Sequence, residues 1–84
     1  MSEEEIPQRT LTFGEKAVGL TFNPSGDADV QKVKELFAEV IDFCNDRKAE
    51  YDGKPNEKNR MFQIAITEAQ TAQMWAVKGV TWKE

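Results

Sequence analysis

Two long segments without glycine or proline, residues 28–51 and 57–78, constrain this chain more than any other feature of its sequence. The stretch between them, Asp52-Gly53-Lys54-Pro55-Asn56, places a glycine suited to a helix C-terminus ahead of a proline that cannot continue a helix. Both long segments carry apolar residues at steps of three and four, the spacing that lines one face of an α-helix. The sequence therefore predicts an all-α fold in which two long helices form a hairpin.

The limits of the two helices follow from their flanking residues. Ser25 and Asp27 are candidate N-caps because their side-chain oxygens can accept hydrogen bonds from the free amides of a first turn. A first helix is therefore expected from near Ala28 to about Tyr51. The second helix is expected over about residues 57–78, a stretch rich in alanine, glutamine and methionine, which favour helix.

Ahead of the hairpin the chain changes character. Residues 1–10 are polar and acidic, and we expect them to form a mobile arm, which leaves residues 11–84 as the helical-hairpin domain. Residues 11–22 are more apolar but are interrupted by Gly14 and Gly19. We expect an irregular or short helical segment there, packed against the hairpin.

The two helices carry more apolar surface than a hairpin is able to bury. The first helix has an apolar stripe at Val30, Val33, Phe37, Val40 and Cys44, which Leu36, Ile41 and Phe43 widen. The second has a row of small residues, suited to the close approach of another helix, at Ala65, Ala69, Ala72, Ala76 and Gly79. It also has apolar side chains on its other faces, at Met61, Phe62, Ile64, Ile66, Met74, Trp75 and Val77. A helix that is apolar on several sides is usually buried, and a chain this short has a thin core of its own. We therefore expect a symmetric homo-oligomer; the alternative is a monomer in which these residues pack on residues 11–22.

The residues needed for common catalytic sites are missing. Histidine is absent, which excludes Ser-His-Asp and Cys-His sites as well as histidine metal ligands. The acidic pairs at helical spacing, Glu35 with Glu39 and Asp42 with Asp46, are interpreted as a solvated helix face, and Cys44 as a buried thiol. We expect no enzymatic activity, no metal and no cofactor.

Charge and hydropathy exclude further classes of partner. The net charge of −4 comes mostly from Glu3, Glu4 and Glu5, because without them 11 basic residues face 12 acidic ones. No basic cluster is longer than the pair Arg47-Lys48, so a nucleic-acid polymer is not an expected partner. No apolar run reaches the roughly 18 residues of a membrane span, and the lone cysteine fits a reducing compartment. The sequence predicts a cytoplasmic protein without a membrane partner.

The residues that remain suit a small phosphorylated ligand. Aromatic rings for stacking and cations for phosphates are supplied by Phe13, Phe22, Lys34, Arg60 and Lys78. Each has an ordinary structural alternative: Phe22 as a core residue, for example, or Lys34 as a solvated helix residue. Arg60 opens the second helix, where a positive charge opposes the helix dipole, and this favours a role beyond stability.

Three stretches of the chain carry a resemblance to a known phage family. They are residues 11–19 (LTFGEKAVG), residues 22–27 (FNPSGD), and residues 64–78 from IAITE to the distinctive MWAVK. Over nearly all of residues 11–82 the chain resembles the anti-CBASS and anti-Thoeris sponge proteins. The resemblance implies a helical hairpin that assembles into a symmetric oligomer, often a hexamer. It implies that the oligomer sequesters cyclic nucleotide signals of bacterial defence systems without cleaving them. The short, helix-only chain favours the anti-CBASS branch.

The resemblance also implies where ligands bind. In the anti-CBASS branch a cyclic dinucleotide is clamped by an aromatic residue ahead of the first helix, usually a tyrosine, and by a lysine on that helix. Phe22 and Lys34 match these positions best, with Asn23 beside them in the shared motif; because the spacing differs here, Phe13 competes for the aromatic role. A second pocket, for cyclic trinucleotides, is implied at Arg60 and Thr67.

Three functions are weighed on these grounds. The leading one is a cyclic-oligonucleotide sponge in the cytoplasm of an infected bacterium; sequestration of the cyclised ADP-ribose signal of Thoeris is a variant of it. The second is a structural or adaptor oligomer without a nucleotide ligand, which predicts a sizeable hydrophobic patch left exposed after assembly. The third is a metal-dependent nucleotide-degrading enzyme, which predicts that the ligand is altered after incubation.

Overall fold

The structure, a computed structural model, describes residues 10–50 and 56–83, and over this part it contains three helices and no strand. They are α1 (Phe13–Val18), α2 (Ala28–Ala49) and α3 (Glu57–Thr81). The all-α prediction is confirmed, and α2 and α3 begin where the sequence indicates. α3 runs three residues past Lys78, because Gly79 stays helical. The acidic arm, apart from Thr10, and the turn signal at residues 51–55 lie outside the described residues.

Side-chain caps begin each long helix. The Asp27 carboxylate accepts hydrogen bonds from the amides of Asp29 and Val30, at 2.7 and 3.3 Å. The Asn56 side chain accepts from the Asn59 amide at 2.8 Å at the start of α3. Of the two candidate caps of α2, Asp27 is therefore the one used.

The core lies where the three helices meet. Its buried members are Val18, Ala38, Ile41, Cys44, Ile66 and Ala69. Val30 and Val77 face each other at one end of the α2–α3 pair, and Cys44 and Ala65 at the other, so the two helices run antiparallel. The end at which α2 begins and α3 ends is called the open end of the hairpin below.

The apolar stripe predicted for α2 is only partly correct. The buried residues of α2 are Val30, Lys34, Ala38, Ile41 and Cys44, whereas Val33 and Phe37 are half-buried and Val40 is exposed. The row of small residues predicted for α3 is likewise used only in part, since Ala72 and Gly79 are exposed. Because α1 and α3 both pack on α2, its buried face lies between them rather than along its most apolar side.

α1 packs against α2 at very close range. A Cβ atom added to Gly14 would lie 2.2 Å from the Ala38 carbonyl oxygen, nearer than any side chain allows. Glycine at 14 and alanine at 38 therefore let the two backbones approach. Of the two alternatives for residues 11–22, the short helical one is confirmed.

Large apolar side chains remain exposed on this single chain. They include Phe43, Met61, Met74, Trp75 and Trp82. Among the helices described, none combines the length and the apolar character that crossing a membrane requires.

Candidate functional site

A groove of about 180 Å³ opens at the open end of the hairpin, and we call it the Lys34 groove. It is formed by the turn before α2, the first turns of α2 and the last turns of α3. Its lining residues are Phe22, Asn23, Pro24, Ser25, Val30, Lys34, Val77 and Thr81. Three residues predicted to bind ligand, Phe22, Asn23 and Lys34, are thus brought together.

Lys34 is the central charge of this groove. Only 6% of the residue is exposed, so its ammonium group needs polar partners to offset the loss of water. It donates to the carbonyl oxygen of Gly19 at 3.0 Å and to that of Phe22. An ammonium group has three N–H donors, so one donor is left without an acceptor among the residues that the structure describes.

Phe22 is an open aromatic surface beside this charge. It is 70% exposed, and its ring centroid lies 5.5 Å from the Lys34 ammonium, within the range of a cation–π contact. The alternative of a core phenylalanine is therefore wrong, and so is the alternative of a solvated Lys34. The Asn23 amide group organises the turn, because it donates to the Asp27 carbonyl oxygen at 3.0 Å and accepts from the Ser25 hydroxyl at 2.8 Å.

Phe13 does not reach the Lys34 groove. It is the first residue of α1, whereas Gly19, whose carbonyl oxygen contacts Lys34, follows the last residue of that helix. Phe13 is about half exposed, away from the groove. Of the two candidate aromatics, the geometry favours Phe22.

Arg60 and Thr67 lie elsewhere, on an exposed face of α3. The Arg60 guanidinium is paired with Glu57: Nε donates to Glu57 Oε2 at 3.0 Å, and Nη2 donates to the same oxygen. This hydrogen bond and the attraction of opposite charges lower the pKa of Glu57 and raise the pKa of Arg60. A shallow hollow of about 500 Å³ beside Arg60 is lined by Asn56, Glu57, Asn59 and Gln63.

Thr67 is exposed on the same helix and is not part of the lining of that hollow. Its hydroxyl donates to the Gln63 carbonyl oxygen at 3.3 Å. It lies seven positions after Arg60 on the helix, a rise of about 10 Å. The structure therefore holds the predicted residues in two places, the Lys34 groove and this α3 face.

Sequence reasoning missed the surroundings of two polar residues. Asp42, interpreted as part of a solvated face, accepts from the Thr12 hydroxyl at 2.7 Å and from the Gly14 amide at 2.6 Å. Gln73 is as buried as Lys34. The described residues contain no group of three or more acidic, cysteine or histidine side chains able to hold a metal ion.

Taken together, the fold and the groove define a small helical hairpin with an aromatic ring and a buried cation at its open end. Residues 15–81 match the family model described as Acb2/Tad1, hairpin domain, and the chain belongs to this family of anti-CBASS and anti-Thoeris sponge proteins. The resemblance noted from the sequence is thereby confirmed. Comparison with curated proteins and with solved structures found no match.

Proposed function

We propose that this protein binds and sequesters cyclic oligonucleotide second messengers without cleaving them, and so prevents the activation of CBASS effectors in an infected bacterial cell. The observation that carries the proposal is the buried Lys34 ammonium, with one donor to spare, beside the open Phe22 ring. A cation and a stacking surface side by side match the two chemical parts of a nucleotide, its phosphate and its base. Membership of the sponge family supports the same conclusion.

The size of the Lys34 groove supports assembly as part of this function. Its volume of about 180 Å³ lies below the roughly 300–1,000 Å³ of ordinary small-ligand pockets. A cyclic dinucleotide held there would project from the groove of one chain, and a second protein surface would be needed to enclose it. We propose that a symmetric homo-oligomer, a hexamer by family resemblance, supplies that surface, so that a dinucleotide is clamped between subunits by Phe22, Asn23 and Lys34.

Cyclic trinucleotides are proposed to bind at the α3 face of Arg60 and Thr67. The side chains of the Arg60–Glu57 pair are about 60% exposed, and ion pairs in water contribute little. A phosphate group is therefore able to displace Glu57 from the Arg60 guanidinium at a small cost in free energy. Arginines brought together by symmetry around an oligomer axis would give such a site its charge.

The proposed mechanism is stoichiometric. A sponge lowers the free concentration of a signal when it outnumbers the signal and binds it more tightly than the effector does. This action needs no general base or nucleophile. It matches a sequence without histidine, whose single cysteine, Cys44, is buried in the core.

The test is isothermal titration of the full chain with a panel of cyclic dinucleotides, cyclic trinucleotides and cyclised ADP-ribose. Each complex is then heated and the released ligand is identified by chromatography. Submicromolar binding and recovery of the intact ligand are expected. Lys34→Met, which keeps the aliphatic stem but removes the ammonium, should weaken dinucleotide binding about tenfold or more. Lys32→Met, at an exposed position of the same helix, is the matched control and should bind normally.

Other outcomes of the same panel are equally informative. Chemically altered ligand would contradict sequestration and favour a degrading enzyme. Preference for cyclised ADP-ribose would move the target from CBASS to Thoeris. An absence of binding across the panel would favour the adaptor function, which the exposed Met74, Trp75 and Trp82 side chains also suit.

A further inference from the structure

α2 holds the short helix α1 at both ends. At the start of α1, the Asp42 carboxylate accepts from the Thr12 hydroxyl at 2.7 Å and from the Gly14 amide at 2.6 Å. Just beyond its end, the Lys34 ammonium donates to the Gly19 carbonyl oxygen at 3.0 Å. Lys34 and Asp42 are eight residues apart on α2, a rise of about 12 Å, and the six residues of α1 rise about 9 Å. We call the Asp42 contacts and the Lys34 contact the two clamps of α1, and together they span this helix from one end to the other.

The signs of the two charges match the polarity of α1. The amides at a helix N-terminus carry partial positive charge and the carbonyls at its C-terminus carry partial negative charge. Asp42 meets the first and Lys34 meets the second. Each clamp thus stabilises the same orientation of α1.

The backbone between the two clamps leaves α1 little freedom. Gly14 sits against the Ala38 carbonyl oxygen so closely that no Cβ fits. At the other end Gly19 has a φ of 65°, a left-handed conformation that ends the helix. The Leu20 amide then donates to the Glu15 carbonyl oxygen at 3.0 Å, and the Phe22 amide donates to that of Gly19 at 2.9 Å. A continuous set of contacts therefore connects Asp42 to the carbonyls that hold Lys34.

We propose that Asp42 is a positioning residue for the Lys34 groove and acts through α1. With its carboxylate in place, α1 holds the carbonyl oxygens of Gly19 and Phe22 where they fix the Lys34 ammonium beneath the Phe22 ring. Without it, the start of α1 separates from α2, the turn at residues 19–22 loosens, and both ligand groups lose their mutual alignment. The effect on ligand binding rests on the proposed function of the groove; the effect on the turn does not.

The first test needs no ligand. Amide hydrogen exchange by NMR is compared between the full-length wild type, Asp42→Ala and Glu39→Ala. Glu39 is an exposed carboxylate one turn earlier on α2 and makes no hydrogen bond to the described residues, so it is the matched control. In Asp42→Ala, exchange at Leu20 and Phe22 should be about tenfold faster or more, while Glu39→Ala matches the wild type. Unchanged exchange at both amides in a folded Asp42→Ala variant would overturn the proposal, whether or not the protein binds nucleotides.

The second test is a double-mutant cycle on binding of cyclic di-AMP, cyclic di-GMP and cyclic GMP–AMP, each titrated into protein shown by circular dichroism to be folded. If Asp42 acts through Lys34, Asp42→Ala should weaken binding about tenfold in the wild type and hardly at all in Lys34→Met. Equal effects in both backgrounds would show an action that bypasses Lys34 and would refute the positioning role.

Asp42→Asn keeps an acceptor for the Gly14 amide and should fall between wild type and alanine. If Asp42→Ala does not fold, Asp42→Asn and Thr12→Val replace it. Amide exchange and nucleotide affinity equal to those of the wild type in both of these variants would then contradict the proposal. If the wild type itself binds none of the three nucleotides, the proposed function fails, and the exchange experiment still decides the positioning role.

Discussion

Lys34 and Gln73 are both buried polar residues, but their surroundings differ. The Lys34 ammonium has two carbonyl partners, whereas the Gln73 side chain, 6% exposed, makes no hydrogen bond to any residue that the structure describes. A buried amide without partners costs about 1–3 kcal/mol. Gln73→Met keeps the volume and removes that cost, so we expect the free energy of unfolding to rise by about 1 kcal/mol.

Chemical denaturation of the variant and the wild type checks this expectation. Gln70→Met, at a half-buried position of the same helix, is the control and should change the stability little. A Gln73→Met protein less stable than the wild type would contradict the prediction and would point to a polar partner for Gln73 in the assembled protein.

The pairing of Arg60 with Glu57 leads to a second prediction at the residue scale. Because the hydrogen bond from Arg60 lowers the pKa of Glu57, this carboxylate stays charged at neutral pH and competes with any anion for the guanidinium. The stabilisation from the pair is present above the ordinary pKa of a glutamate and is lost as the pH falls through the lowered value. Glu57→Gln should therefore strengthen cyclic trinucleotide binding severalfold at neutral pH, measured by titration, and should leave dinucleotide binding unchanged. Equal trinucleotide affinity for variant and wild type would contradict competition between Glu57 and the ligand for the guanidinium.

At the scale of elements, the helices were predictable and their packing was not. Turn residues and caps located α2 and α3 because they act over a few neighbouring residues. The buried face of α2 depends on α1, which a periodicity argument does not include. The methylene stem of Lys34 is buried because the carbonyls of the turn receive its charge, and Ala38 is buried because Gly14 lies against it. Phe22 and Lys34 were among the rings and cations that the sequence offers, and family resemblance paired them and added Asn23. Asp42 was missed because its partners are about 30 residues away along the chain.

The cap of α2 supports a prediction at this scale. Asp27 accepts from two amides of the first turn, and loss of such a cap costs about 1 kcal/mol, within a range of about 0.5–2. Asp27→Ala should lower the free energy of unfolding by that amount. The first turn of α2, which Asp27 caps, lies beside Asn23 and contains Val30. Asp27→Ala should therefore also weaken ligand binding in the Lys34 groove. Asp46→Ala, an exposed carboxylate in the last turns of α2, is the control; equal stability of the two variants would argue against the cap.

For the whole molecule, the apolar surface left exposed on one chain favours association between copies. Trp75 and Trp82 are 66% and 61% exposed, and both lie over the Lys78 ammonium, at 5.2 and 5.9 Å from their ring centroids. With Lys78 and Gly79 they line a hollow of about 340 Å³ on the face of α3 that α2 does not cover. Burial of a large aromatic side chain contributes about 1.5–3 kcal/mol. A contact between two copies that covers both indole rings on each chain would therefore be stabilised by the burial of four indole rings.

We therefore predict that the wild type is a stable oligomer in analytical ultracentrifugation and that Trp75→Glu shifts it to smaller species. The charge has to lose its water wherever Trp75 is buried between subunits, at a cost of several kcal/mol. Lys32→Glu, a change at an exposed polar position of α2, should leave the oligomer intact. The single chain holds only part of the proposed dinucleotide pocket, so Trp75→Glu should also bind dinucleotide more weakly, although Trp75 is not among the residues lining the Lys34 groove. A wild type that sediments as a monomer and still binds dinucleotide at submicromolar concentration would contradict this link between assembly and binding, because the groove of one chain would then suffice.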